Sequence, residues 1–511
     1  MRIFSEQQAE LLDANIARSN LVVYSKMVSA LGRQNEILGK KVEELSQYIF
    51  NQEQRLLLSQ EMLEQLKRAH FARSTERREG DLPLFDPPAP TETDEVKPGD
   101  SPKGEKKKPR KGHGRKPQPA LPTVEVKYTL PEEEAKAQGL QPFEGQYEVS
   151  ELVTFIPPKV TIEKAMRQKY FGLDECGNRT IVTAPGPLKL MEKSRYALDF
   201  SIQSGLDKYD SHLPLARQVK RFLELGLNVT AQSLYDQIDQ IAWYLKPHVV
   251  DRIHANILAD VVAQADDTWW RNLDEKKKFY LWAVTNERAV SFVIYDSRSQ
   301  KVAEHFLAPF KGTLVSDGHQ SFKPLSVHMT LANDWSHVRR KFVKAEDGYP
   351  IESKWFIDKI RDLFQIERDI KGKSADEILK ARQESSKPIT EEIFQKLVEL
   401  KGNVLPKGRL GKAVTYTLNL WQGLTVFLKS PLVPLNTNLI ERLLRSPVVG
   451  RKAHYGSRTI ESARVAAIWY TVIATCHLNN VSPRKYIKYA LTQILNGKKP
   501  CLPWEYTENT S

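Results

Sequence analysis

The chain has 511 residues, 41% hydrophobic and 27% charged, with a formal net charge of +13 and an isoelectric point near 9.3. That length supports about three domains with cores of their own, and the positive surplus favours a polyanionic partner, nucleic acid before membrane. No apolar run reaches the length of a membrane span and no signal peptide opens the chain. The three cysteines, Cys176, Cys476 and Cys501, lie too far apart for a disulfide framework and suit a reducing, cytoplasmic compartment.

In chain order, residues 21–66 carry a heptad pattern. Leu31, Leu38, Leu45 and Leu66 share one seam position; Leu21, Val28, Val42, Ile49, Leu56 and Leu63 share the other. Asn35, Gln52 and Ser59 interrupt the seam, where polar residues set register at some cost in stability. The pattern predicts a coiled coil within residues 1–78, pairing two protomers; a long helix packed on its own domain is the alternative. Residues 79–120 are dominated by Pro, Gly and charge and predict a disordered linker. Its basic run, with Lys107, Lys108, Arg110 and Lys111, reads either as a solvated linker or as an arm that neutralises phosphates without reading bases.

Residues 121–192 read as a small β-rich module. Cys176 is its only thiol, and a structural zinc site needs four N or S ligands, so no zinc is expected. Residues 193–257 read as helical, with Gly226 in a turn and Thr230 capping a second helix, Ala231 to Leu245. A helix-turn-helix is one reading; ordinary packing is the other, because that second helix is acidic.

Residues 258–344 predict strand, strand, strand, helix, strand. LADVVAQADD and GTLVSD are apolar runs that stop at Asp266, Asp267 and Asp317. Buried parallel strands read as such runs, and ligands bind beyond their carboxyl ends. A right-handed crossover through SQKVAEHFLAPF brings the fourth strand beside the first and the two acids together. The pair is then either a structural partner for Lys or Arg, or a site for hard divalent cations. HQSFKPL is a further candidate strand, followed by a basic helix carrying His337, Arg340 and Lys341. Residues 345–430 are helical by period, with Trp421 in their core or available to stack on a base. Within residues 431–495, Thr437 or Asn436 caps a helix from Asn438 that ends before Pro447 and carries Glu441, Arg442 and Arg445. Arg451 and Lys452 follow, and an apolar helix, Ser462 to His477, should pack behind the sheet; residues 496–511 are a tail. Glu441 reads either as a partner of Arg445 or as a third acid facing the two aspartates.

The ordered set QADDTWW, VSDGHQSF, DWSHVRRKF, NTNLIERLLR and GRKAHYGS resembles the insertion-sequence-sixty-six family of transposases. FARSTER, GHGRKPQPALP, KYDSHLPLARQ and VIATCHLNNVSPRKYI extend the resemblance over nearly the whole chain. The resemblance implies an α/β RNase H-like catalytic core of the DDE type, interrupted by an all-helical insertion and preceded by the coiled coil, β-rich module and helical DNA-binding region. It implies Asp266, Asp317 and Glu441 as catalytic metal ligands, with Asp267, His337 and Asn438 in support. The expected activity is Mg²⁺-dependent cleavage of transposon ends and joining of the 3′-OH to target DNA, with Mn²⁺ as a substitute metal. Arg340, Lys341, Arg442, Arg445, Arg451 and Lys452 are expected on phosphates, and small accessory proteins and a nucleoid location are implied. The rival reading is a catalytically inactive or repurposed protein that binds transposon ends. Three departures stand out: paired CxxC motifs are absent apart from Cys176, CWxH reads Asp334-Trp335-Ser336-His337, and acid-Asn-Asn reads Asn436-Thr437-Asn438.

Overall fold

The computed structural model describes residues 6–71, 137, 158–173, 179–191, 194–275 and 277–507. The chain divides into two compact units, residues 1–86 with 162–511, and residues 87–161. The second unit is described only at residue 137 and residues 158–161, so Lys107, Lys108, Arg110 and Lys111 lie outside the described residues, as does Cys176.

Helix α1, Glu6–Phe71, is one uninterrupted element of 66 residues, roughly 100 Å long at the usual rise. Its seam residues Leu21, Val28, Leu31, Leu38, Val42, Leu45, Ile49, Leu56 and Leu63 are all more than half exposed. In the expected β-rich module, strands β1 (Lys169–Leu173) and β2 (Arg179–Thr183) form an antiparallel pair.

The core of the larger unit is a five-stranded mixed sheet. Its strands are β3 (Val262–Arg271), β4 (Lys278–Thr285), β5 (Val290–Tyr295), β6 (Thr313–Ser316) and β7 (Thr330–Asn333), in the order β5-β4-β3-β6-β7. β4 runs antiparallel to both neighbours; β3, β6 and β7 are parallel. The crossover from β5 to β6 contains helix α6, Gln300–Leu307, whose Phe306 and Leu307 are buried in the main core.

Helices α2 (Leu198–Tyr209), α3 (Leu215–Glu224), α4 (Ala231–Leu245) and α5 (Asp251–Leu258) precede the sheet. Thr230 caps α4 by accepting from the Ser233 amide. Leu234, Ile238, Ile241 and Leu245 turn the apolar face of α4 inward, and Trp469 Nε1 donates to the Ile238 carbonyl. That face packs on the core.

After β7 come α7 (Trp335–Ala345), α8 (Pro350–Asp369), α9 (Ala375–Ala381), α10 (Lys387–Asn403), α11 (Arg409–Asn419) and the short α12 (Trp421–Leu424). They enclose a second core around Phe342, Phe356, Ile360, Leu397, Leu410 and Leu424. Trp421 stacks edge-on against Trp335 at its margin. Three helices close the fold: α13 (Asn438–His454), α14 (Ile460–Leu478) and α15 (Pro483–Leu495). α14 lies along the outer strand: Thr471 Oγ1 accepts from the Phe292 amide and Thr475 Oγ1 bonds both the Val290 amide and carbonyl. A sheet edge is thereby blunted by side chains rather than by another strand.

Two local expectations are corrected. HQSFKPL is no strand: it forms a turn and a 3-10 helix, Lys323–Val327, because Pro324 has no N–H for a ladder and its fixed φ suits the first turn. The strand is instead Thr330–Asn333. The helix carrying Glu441 does not stop before Pro447 but runs through it to His454. Pro447, Leu444 and Gly450 are buried, so packing against the sheet compensates for the lost hydrogen bond. Among the described residues, no helix is long and apolar enough to cross a membrane.

Candidate active site

The β3–β6 register pairs Val262 with Thr313 and Gln264 with Val315. Continuing that offset two residues brings Asp266, within β3, and Asp317, just past β6, to one cavity. β6 ends at Ser316, and Gly318 at φ +79° turns the chain; a Cβ there would meet the Leu420 side chain at 2.9 Å. The Asp317 carboxylate accepts from the His319 amide, and its backbone carbonyl accepts from Tyr416 Oη at 2.9 Å. Tyr416 lies on α11 and sits under Lys341, whose Nζ is 4.8 Å from the ring centroid.

Helix α13 brings Glu441 to the same place from its first turn. Asp266, Asp267, Asp317, His337, Glu441, Arg298 and Arg445 line one cavity of about 320 Å³. The acids crowd one another: burial first, then Asp317, with Asp267 and Glu441 adding, pushes the Asp266 carboxyl up to about 8. Burial also raises Glu441, opposed by His337. Burial raises Asp267 too, but the Arg298 guanidinium opposes it, with Nε 2.8 Å from Oδ1 and 2.7 Å from Oδ2. Asp267 is therefore the member of the pair that Arg298 holds.

The tightest metal-ligating group among the described residues is a different one, Asp334, His337 and Glu441, with ligand atoms all within 4.8 Å of one another. Asp334 is fully buried beside the N-terminus of α7. It accepts from the Ser336 amide at 2.5 Å, and from the Thr437 amide and hydroxyl at 3.2 and 2.6 Å. Thr437 thus ties the start of α13 to the end of β7, while Asn436 Oδ1 receives the Asn438 amide. Asn438 itself is half-buried in the first turn of α13.

The expected phosphate-binding cations divide. Lys341, Arg442, Arg445 and Lys452 are exposed and Arg340 is half-buried. Arg451 is buried: its guanidinium bonds the Trp269 carbonyl and Thr268 Oγ1 and stacks 3.7 Å from the Trp269 ring centroid. It staples α13 to β3, so its expected phosphate contact is corrected to a packing role. Arg298 and Tyr416 were not legible beforehand. Arg298 sits in a loop with no motif, and Tyr416 reaches Asp317 from far along the chain. Asp334 had a signal, its position three residues before His337.

The donor set fits a divalent cation: clustered carboxylate oxygens, with Asp266 pushed up first by burial and then by Asp317, a crowding that a cation would relieve. Residues 202–465, over half the chain, match the family description "Transposase IS66 family". Three proteins of Sinorhizobium fredii are similar along most of their length. Uncharacterized protein y4jD is 28% identical, covering 70% of this chain and 75% of that one. Uncharacterized protein y4hP is 30% identical, covering 70% of each. Uncharacterized protein y4qI is 26% identical, covering 80% and 79%. With the strand order, the acid-lined cavity and this match together, the chain belongs to the IS66 family of transposases.

Proposed function

We propose that the chain is a DDE transposase with an RNase H-like core, which cleaves transposon ends and joins the freed 3′-OH to target DNA. The observation that carries this is the convergence of Asp266, Asp317 and Glu441, from two strands and a distant helix, on one cavity. The sheet order with β4 antiparallel, and the helical block between β7 and α13, support the RNase H-like reading.

Asp266, Asp317 and Glu441 are the residues that would hold Mg²⁺ or Mn²⁺. A pair of such ions supplies charge neutralisation at the phosphate and an activated water. In cleavage, a water oxygen bonds to phosphorus, the P–O3′ bond breaks, and the element end leaves as a 3′-OH. In joining, that 3′ oxygen bonds to a target phosphorus and the target's own 3′ oxygen leaves, so bonds formed and broken balance. Arg298 pairs with Asp267, and Tyr416 anchors the turn that carries Asp317. Exposed Arg442, Arg445, Lys452 and Lys341, with half-buried Arg340, are placed to position the DNA backbone. Lys107, Lys108, Arg110 and Lys111 add an arm, and the exposed seam of α1 pairs two protomers on two ends.

The test is an assay with labelled element ends, target DNA and Mg²⁺ or Mn²⁺. Wild type yields nicked and then joined products. Asp266→Asn and Glu441→Gln lose both by roughly 10³-fold, the scale of removing metal-assisted stabilisation. Products that persist in either variant contradict the assignment, and end binding indifferent to metal and to both variants favours a non-catalytic binding protein.

A further inference from the structure

His337 lines the acidic cavity, yet its two ring nitrogens face two different carboxylates. Nδ1 is 3.6 Å from Asp334 Oδ2, and Nε2 is 3.4 Å from Glu441 Oε1. Nδ1 is buried and makes no hydrogen bond at that separation; a shift of a few tenths of an ångström closes it. Asp334 is fully buried, with three donors on its oxygens from the Ser336 amide and the Thr437 amide and hydroxyl. Its charge is thereby fixed in place on the Nδ1 side of the ring. A carboxylate on the Nδ1 side orients the ring so that Nε2 faces Glu441. Nε2 looks across 3.4 Å at a Glu441 oxygen on the wall of the cavity, and the ligand atoms of His337 and Glu441 belong to a group lying within 4.8 Å of one another. A ring nitrogen and a carboxylate oxygen so placed can close on one cation.

We propose that His337 is a nitrogen ligand of the active-site cation shared with Glu441, and that Asp334 is the positioning residue that orients its ring. This rests on the metal reading above and extends it, since a set of carboxylates alone offers oxygen only. Asp334 is not a ligand here, because its oxygens are committed to α7 and to the start of α13. One buried carboxylate therefore sets both the ring and the helix that carries Glu441. The chemical consequence is selectivity. Imidazole suits transition metals, whereas Mg²⁺ is held through oxygen and water, so His337 tilts the site toward Mn²⁺.

The test uses the full chain with end DNA and Mn²⁺, counting bound metal by electron paramagnetic resonance and reading nitrogen coupling by three-pulse echo modulation. Wild type is expected to bind Mn²⁺ with ¹⁴N modulation. His337→Gln should still bind Mn²⁺, without the modulation, and should need less Mg²⁺ to displace it. Asp334→Asn should bind Mn²⁺ about 10-fold more weakly, as lost support of a ligating histidine does. If Asp334→Asn does not fold, His337→Gln alone decides. Mn²⁺ that binds, is lost in Asp266→Asn, and shows no nitrogen coupling in wild type overturns the His337 assignment and leaves the carboxylate site standing. Modulation that survives in His337→Gln overturns it equally. No bound Mn²⁺ in wild type brings down both readings.

Discussion

Arg298 reaches from the loop after β5 to both oxygens of Asp267, and among the described residues Asp266 next to it has no such ion pair. Adjacent acids on one strand thus differ in surroundings: Asp267 is ion-paired, and Asp266 is crowded by Asp317. Arg298→Ala leaves a buried carboxylate without its partner. Breaking such a pair costs about 3–5 kcal/mol, and Arg298 is itself partly exposed, so the low end is expected in urea unfolding. His454 offers a second residue-scale test. Burial, then Lys208, holds its imidazole down at about 4. The folded chain therefore binds fewer protons there than the unfolded chain. That stability is complete above the ordinary value of 6.5 and is lost as pH falls toward 4. His454→Gln should flatten the fall in unfolding free energy between those two pH values; an unchanged slope would show that His454 does not carry it.

Elements were legible where periodicity was strong and local. Alternation in KFYLWAVT and VSFVIY, and the apolar runs ending in Asp266 and Asp317, give the sheet and its crossover before any coordinates. The continuation of α13 through Pro447 was not legible, because tertiary packing overrides a local helix breaker. Nor was the link from Asp334 to Thr437, which joins residues from opposite ends of the helical block. Thr471 and Thr475 look like ordinary interior positions of an apolar helix, and only the structure shows them bonding β5. Thr475→Val should leave the Val290 amide and carbonyl unpaired, at about 1–3 kcal/mol in thermal or urea unfolding. Within the helical block, Arg382 binds Glu367 through both arms and also the Phe427 and Ser430 carbonyls. Arg382→Ala should cost about 3–5 kcal/mol and raise proteolysis between α8 and α12. Proteolysis no faster than wild type would mean the block holds without it.

At the scale of the whole molecule, a long helix with an exposed apolar seam precedes a sheet in which Asp266 lies within β3, which runs on to Arg271, and Asp317 directly follows β6. Val28, Val42 and Ile49, with Leu21, Leu56 and Leu63, at one seam position and Leu31, Leu38 and Leu45 at the other form an exposed seam that a second copy of the helix would cover. Light scattering should give twice the 58.5 kDa chain mass. Leu38→Asp should halve it, while folding of the sheet and helices around it is unchanged. The central claim is that three acids far apart in sequence share divalent cations. Anomalous diffraction at the manganese edge, from crystals soaked in Mn²⁺, tests that most directly. The account predicts peaks between Asp266 and Asp317 and beside Glu441. Manganese that binds elsewhere, or none within ligand distance of these three side chains, contradicts it.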